Sequence, residues 1–163
     1  MRAYFLTLLI VAGSFSANAN WTPLTTGIND HLNDVFFWNA NEGIVIGDKG
    51  IYYTLTGGNG AGAWTRFSIP GSPGENDLYN RCRFVKMTIS VFTDREVYIS
   101  GYDSVNHRAV IFYFKLSNQA YKFCYYGAAN SALYNIRYSN NAVFAVGKAG
   151  LFVRYTPATD QTT

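Results

Sequence analysis

Charge is scarce in this chain, and the shortage excludes several functions before any motif is read. Asp, Glu, Lys and Arg make up only 14% of the 163 residues, and the formal net charge is +3. Soluble domains usually carry about a quarter of such residues. No run of Lys or Arg occurs, so the basic footprint of a nucleic-acid partner is missing. Histidine is equally sparse. His31 and His107 stand alone, with no Cys or His at ligand spacing, so both read as loop residues and no metal site is expected. No G-x-S-x-G elbow appears. The glycine-rich turns are followed by strand-like runs, whereas a phosphate cradle needs a helix after its loop; no cofactor is expected. After residue 19 no apolar run is long enough to cross a bilayer, so no stable membrane insertion is expected either.

Residues 1–19 read as a secretory signal peptide, with Arg2 at the start, an apolar run from Ala3 to Gly13 and an A-x-A cleavage site at Ala17-Asn18-Ala19. The working domain is then 20–163, exported to a bacterial periplasm or secreted, and loss of Arg2 leaves it at +2.

Aromatic residues are plentiful. They form 17% of the chain, chiefly 13 Tyr and 12 Phe, and both types favour strands. Short runs of Val, Ile, Tyr and Phe alternate with turn clusters such as Gly57-Gly58-Asn59-Gly60, Pro70-Gly71-Ser72-Pro73-Gly74 and Asn140-Asn141, the pattern of an all-β domain. No window beyond the signal peptide shows a helical period.

One pattern also returns three times. Leu32-Asn33-Asp34-Val35-Phe36-Phe37 leads to Gly43 through Gly47-Asp48-Lys49-Gly50-Ile51. Leu133-Tyr134-Asn135-Ile136-Arg137-Tyr138 leads to Ala142 through Gly147-Lys148-Ala149-Gly150-Leu151. Between them, a looser copy runs from Leu78 through Val97-Tyr98-Ile99-Ser100-Gly101 to Ala109-Val110-Ile111-Phe112-Tyr113. A period of about 45 residues with several strands per unit predicts the four-stranded antiparallel blades of a β-propeller.

Strands are expected at 33–38, 43–48, 50–55 and 64–69, at 81–87, 96–102, 108–116 and 120–126, and at 134–139, 142–147 and 150–156. A leading strand at 20–24, Trp21-Thr22-Pro23-Leu24, echoes Trp64-Thr65-Arg66. Gly47, Gly50, Gly147 and Gly150 are assigned to tight hairpins that need positive φ. Cys82 and Cys124 fall on the first and fourth strands of the second unit, about 14 Å apart at ordinary strand spacing. A disulfide needs Cα atoms within about 7 Å. An oxidising compartment favours the bond, and closing that loop would add about 4 kcal/mol, but the strand positions predict two unpaired thiols.

The stretch from Leu32 to Trp64 resembles the repeat of sialidase-like (BNR or Asp-box) propellers, and more closely that of photosystem II assembly factor-like propellers. The matching residues are Leu32-Asn33-Asp34-Val35-Phe36-Phe37, Gly43 through Gly50-Ile51, Thr54, Gly57-Gly58 and Trp64. Thr56 replaces the Asp of the box, and extra residues separate Gly58 from Trp64. In the family the box is structural, so Trp64 and Trp21 are assigned to packing. Family propellers usually have six or seven blades. About three are present here, so the ring is either continued in a longer protein or completed by oligomerisation.

The resemblance implies a non-catalytic scaffold that binds another protein, with Arg81, Arg83 and Arg137 as the expected face. A carbohydrate-binding lectin is the second reading, because Tyr79, Tyr134 and Trp38 are expected near blade tops, where rings can stack on sugars. A fragment of a sialidase-like glycosidase is the third. Sialidases need an arginine cluster and a Tyr nucleophile, and Arg66-Phe67-Ser68-Ile69-Pro70 echoes their signature too faintly to carry that reading.

Overall fold

The computed structural model describes residues 23–157 apart from 72 and 92. Residues 1–19, read from sequence as a signal peptide, and Trp21 lie outside the described residues. Among those described, the chain forms three antiparallel sheets in sequence order. The first holds β1 (Leu32–Phe37), β2 (Gly43–Gly47), β3 (Gly50–Thr54) and β4 (Thr65–Arg66). The second holds β5 (Cys82–Val91), β6 (Glu96–Asp103), β7 (Arg108–Lys115) and β8 (Ala120–Ala129). The third holds β9 (Leu133–Ser139), β10 (Ala142–Gly147) and β11 (Phe152–Tyr155). Each sheet is a simple meander in which consecutive strands pair. Strand positions follow the sequence reading closely, except that β4 is cut to two residues and Pro23-Leu24 belong to no strand.

The sheets stack face to face, and alternation along each strand decides which core a side chain enters. On β6, Val97 and Ile99 point to the first sheet and Tyr98 to the third. On β7, Val110, Phe112 and Phe114 point to the first sheet, while Ala109 and Ile111 point to the third. Two cores result. The larger, between the first and second sheets, joins Ile44, Ile46 and Ile51 to Phe67, Phe84 and Phe112. The smaller, between the second and third, joins Tyr98 and Ile111 to Leu133, Ile136, Val143 and Val153. β6 and β7 are therefore buried on both faces, which explains their nearly continuous apolar runs. The first strands are neighbours across each seam: β5 packs against β1 and β9 against β5.

One element departs from the sequence reading. Residues Pro73–Arg81 form a helix, α1, on the connection from β4 to β5. Pro73 occupies its first position, where a fixed φ suits the turn. Glu75 in the first turn and Arg81 in the last complement the helix dipole. Its apolar residues, Leu78 and Tyr79, are adjacent and too few to write a 3.6-residue stripe, so hydrophobic periodicity could not reveal it.

Two glycine assignments also change. Gly50 (φ 147°) and Gly150 (φ 75°) have the positive φ expected, but Gly147 has φ −163°. Gly47 and Gly147 end the second strands of their sheets, Gly101 lies two residues before the end of its own, and all three face backbone at close range. An added Cβ would lie 2.5 Å from the His31 oxygen, 2.1 Å from the Arg83 oxygen and 1.8 Å from the Ala132 oxygen respectively. The repeated glycine marks a close backbone approach rather than a turn conformation. Cys82 and Cys124 are thiols, not a disulfide; they sit on β5 and β8, with β6 and β7 between.

Candidate functional site

The starts of β1, β5 and β9 and the turns β2–β3, β6–β7 and β10–β11 fall at the same end of the stack, here called the upper end. Register places them so: Leu32 pairs with Gly47, Cys82 with Asp103, and Leu133 with Gly147. Polar side chains collect there.

At the seam of the first two sheets the groups are committed. Arg83 Nη1 donates to Asp48 Oδ2 at 2.5 Å, and Asn33 Nδ2 donates to Asp48 Oδ1 at 3.1 Å and to the Phe84 oxygen at 2.7 Å. Arg81, the last residue of α1, pairs with Asp77 one helical turn earlier and with Asp103. Asp103 is wholly buried. Burial pushes its carboxyl up, but Nδ2 and the backbone N–H of Asn106, the Tyr126 hydroxyl and the Val105 N–H outweigh that and hold it well below the usual carboxylate range. This carboxylate organises the β6–β7 turn. Lower on the same seam, Asp34 accepts from Lys86 Nζ at 3.0 Å and from the Met87 N–H at 3.0 Å.

At the seam of the second and third sheets lies a cleft of about 280 Å³, lined by Tyr102, His107, Asn130, Ser131, Ala132, Tyr134 and Lys148. Local chemistry shapes its rim. His107 (φ 52°) and Asn130 (φ 61°) sit in left-handed turns, which these two residue types tolerate better than most. Ser131 Oγ accepts from the Ala109 N–H at 2.8 Å and donates to the Ala128 oxygen, fixing the β8–β9 connection against β7. The Lys148 N–H donates to the Ala132 oxygen at 2.9 Å, which brings the β10–β11 turn alongside. Tyr134 is 52% exposed. Within the described residues the side chains of Tyr102, His107, Tyr134 and Lys148 take no hydrogen bond or ion pair, in contrast to the arginines of the neighbouring seam.

The residues expected to form a site separate into three groups. Tyr134 lines the cleft. Arg81 and Arg83 lie at the upper end but are neutralised by Asp77, Asp103 and Asp48. Arg137 lies on the outward face of β9, in register with Phe144, so the three arginines do not form one patch.

Tyr79 and Trp38 are corrections. Tyr79 is on α1, wholly buried among Phe67, Phe84 and Phe112. Its hydroxyl accepts the Ile51 N–H at 2.9 Å, a group that a longer β4 would have satisfied. Burial raises its pKa well above the ordinary tyrosine value. Trp38 follows β1 at the lower end and is buried, packed edge-to-face on Phe36. Neither ring faces a ligand.

The Trp64 indole donates to the Gly58 oxygen at 2.8 Å, and its ring lies where a Gly58 side chain would be and meets Phe37 edge-on. Tyr102 and Lys148 were not singled out by sequence, although Lys148 occupies the turn position that Asp48 holds in the first unit. Stacking equivalent turns of successive repeats would have placed both at the upper end. Among the described residues no group of three His, Cys, Asp or Glu could hold a metal ion.

No family model matches the chain, and no curated protein matches it. Among solved structures it is similar to one titled "YCF48 bound to D1 peptide", with a TM-score of 0.59 at 14% identity. The likeness covers 87% of this chain and 43% of that one, so the chain spans less than half that protein's length. An identity this low speaks to fold alone. Together with three consecutive antiparallel meanders stacked face to face, it makes this an all-β protein built of propeller blades.

Proposed function

We propose that the protein is an exported, non-catalytic propeller scaffold that holds a segment of another protein at the upper end of the seam between its second and third sheets. The observation that carries this reading is the uncommitted cleft. Tyrosine rings offer large contact area at little entropic cost, and Lys148 and His107 offer donors to a carbonyl or carboxylate beside them. A volume of about 280 Å³ is at the lower limit of ligand pockets, about 300–1,000 Å³. It suits one anchoring side chain of a bound segment better than an extended small molecule. A similar propeller whose title names a bound peptide supports the same reading.

The openness of Tyr134 favours a second reading, a lectin that stacks one sugar ring in the same cleft. Affinity capture from an extracytoplasmic extract tests the first. One stoichiometric protein partner is expected, bound about tenfold or more weakly by Tyr134→Ala and by Lys148→Ala, as for hot-spot truncations. Glycan-array hits that vanish with Tyr134→Ala, without a protein partner, would move the assignment to the lectin. Hydrolysis of a fluorogenic sialoside would end the non-catalytic reading.

A further inference from the structure

Every carboxylate among the described residues lies at or before Asp103, and each already meets a donor. Asp34, Asp48, Asp77 and Asp103 hold cationic side chains of β5 and α1, Glu42 holds Arg95, and Asp94 and Glu96 share Lys115. Asp30 accepts from the Lys49 N–H, and Glu75 from the Tyr121 hydroxyl. From Ser104 to Pro157 the sequence has no Asp or Glu, yet it has Arg137, Lys148 and Arg154 on the third sheet and its turns. The third sheet is therefore purely cationic, and its side of the cleft brings no anion.

Lys148 is where that excess charge opens onto a cavity. The Arg154 guanidinium lies over the Phe144 ring, whereas Lys148 borders Tyr102, His107 and Tyr134. Its place in the repeat is the one Asp48 fills in the first sheet. The same backbone bond builds both turns: the Asp48 N–H donates to the His31 oxygen at 3.1 Å, and the Lys148 N–H to the Ala132 oxygen at 2.9 Å. Side chains of opposite sign suit the turn equally, so the charge of Lys148 is not what shapes it. In the first sheet the turn charge is spent across the seam on Arg83. In the third, no carboxylate among the described residues answers it.

We infer that the group answering it is an acidic side chain of the bound segment, seated against the Tyr134 ring with its carboxylate on Lys148 Nζ. This rests on the peptide-binding reading above and adds the charge of the anchor. A chain-terminal carboxylate fits less well, because such ends are captured by nests of backbone N–H groups. On this rim the N–H groups of Lys148, Ser131 and Ala109 are already given to the Ala132 oxygen, the His107 oxygen and Ser131 Oγ. What remains is side-chain donors, Lys148 above all. The volume of about 280 Å³ matches one side chain entering between them.

Backbone amide shifts of the isotope-labelled protein, titrated with the capped tripeptide acetyl-Ala-Glu-Ala-amide, test this. The Tyr134 and Lys148 amides should move saturably at millimolar peptide. Binding should be about threefold tighter than for the glutamine counterpart, the size of a partly exposed ion pair, and high salt should remove the advantage. Lys148→Met should erase the preference, and Lys148→Glu should reverse it toward the lysine counterpart. Lys148 is exposed and its turn uses only its N–H, so both variants should fold; if they do not, the salt dependence of the wild type decides. A glutamine peptide bound as tightly as the glutamate one overturns the inference and leaves the peptide-binding reading standing. So does a glutamate preference that folded Lys148 variants retain or that high salt leaves unchanged. Silence from both peptides also overturns the inference, and the affinity capture above then decides separately whether the reading falls with it.

Discussion

Tyr79 shows how far a residue's meaning depends on its surroundings. In sequence it is one of thirteen tyrosines beside a first strand. In the fold it is a staple, because its hydroxyl accepts an N–H of β3 that the two-residue β4 leaves without a strand partner. Tyr79→Phe keeps the ring packing but leaves the Ile51 N–H buried and unpaired, at a cost of about 1–3 kcal/mol. A fall in the urea midpoint with unchanged m-value is expected; an unchanged midpoint would show that the bond contributes nothing net. Residue identity alone could not separate this tyrosine from Tyr134. The first lies on the core side of a helix and the second on an open rim, and that difference arises only when distant segments meet.

At the scale of elements, short runs of Val, Ile, Tyr and Phe bounded by turn clusters made nearly every strand legible, because composition and turn chemistry are local properties. The runs around Val97–Gly101 and Ala109–Phe114 became β6 and β7 with little adjustment. α1 was invisible because two adjacent apolar residues define no helical stripe. It matters nonetheless, since it brings Arg81 to Asp103 and so joins the connection to the β6–β7 turn. The sign of the resulting pH dependence is fixed. Asp103 titrates below the ordinary carboxylate range in the fold, so the folded state binds fewer protons than the unfolded one at acid pH. Its stabilisation is present in full above the unfolded value of about 4 and is lost as pH falls below it. Asp103→Asn should therefore lower stability at neutral pH and flatten the loss of stability between neutral and acid pH, as measured by urea denaturation. An equally steep acid loss in the variant would place the linkage elsewhere.

For the whole molecule, the two cores make the second sheet the centre of stability. β6 and β7 contribute side chains to both, whereas β4 and β11 lie at sheet edges. Native-state hydrogen exchange should find the slowest amides in β6 and β7, near the global unfolding free energy, and the fastest in β4 and β11. Uniform protection across the three sheets would contradict that ordering.

The sequence by itself determined the strands, their grouping into repeated meanders and the propeller class, because each follows from short apolar runs, turn residues and a repeat period carried along the chain. Only the tertiary structure decided which aromatics are core and which are open, that the repeated glycines serve close backbone approach, and that Arg81 and Arg83 meet carboxylates while Lys148 and His107 do not. Those outcomes depend on contacts between residues far apart in the chain, and a pattern within one strand holds no record of the face it will meet.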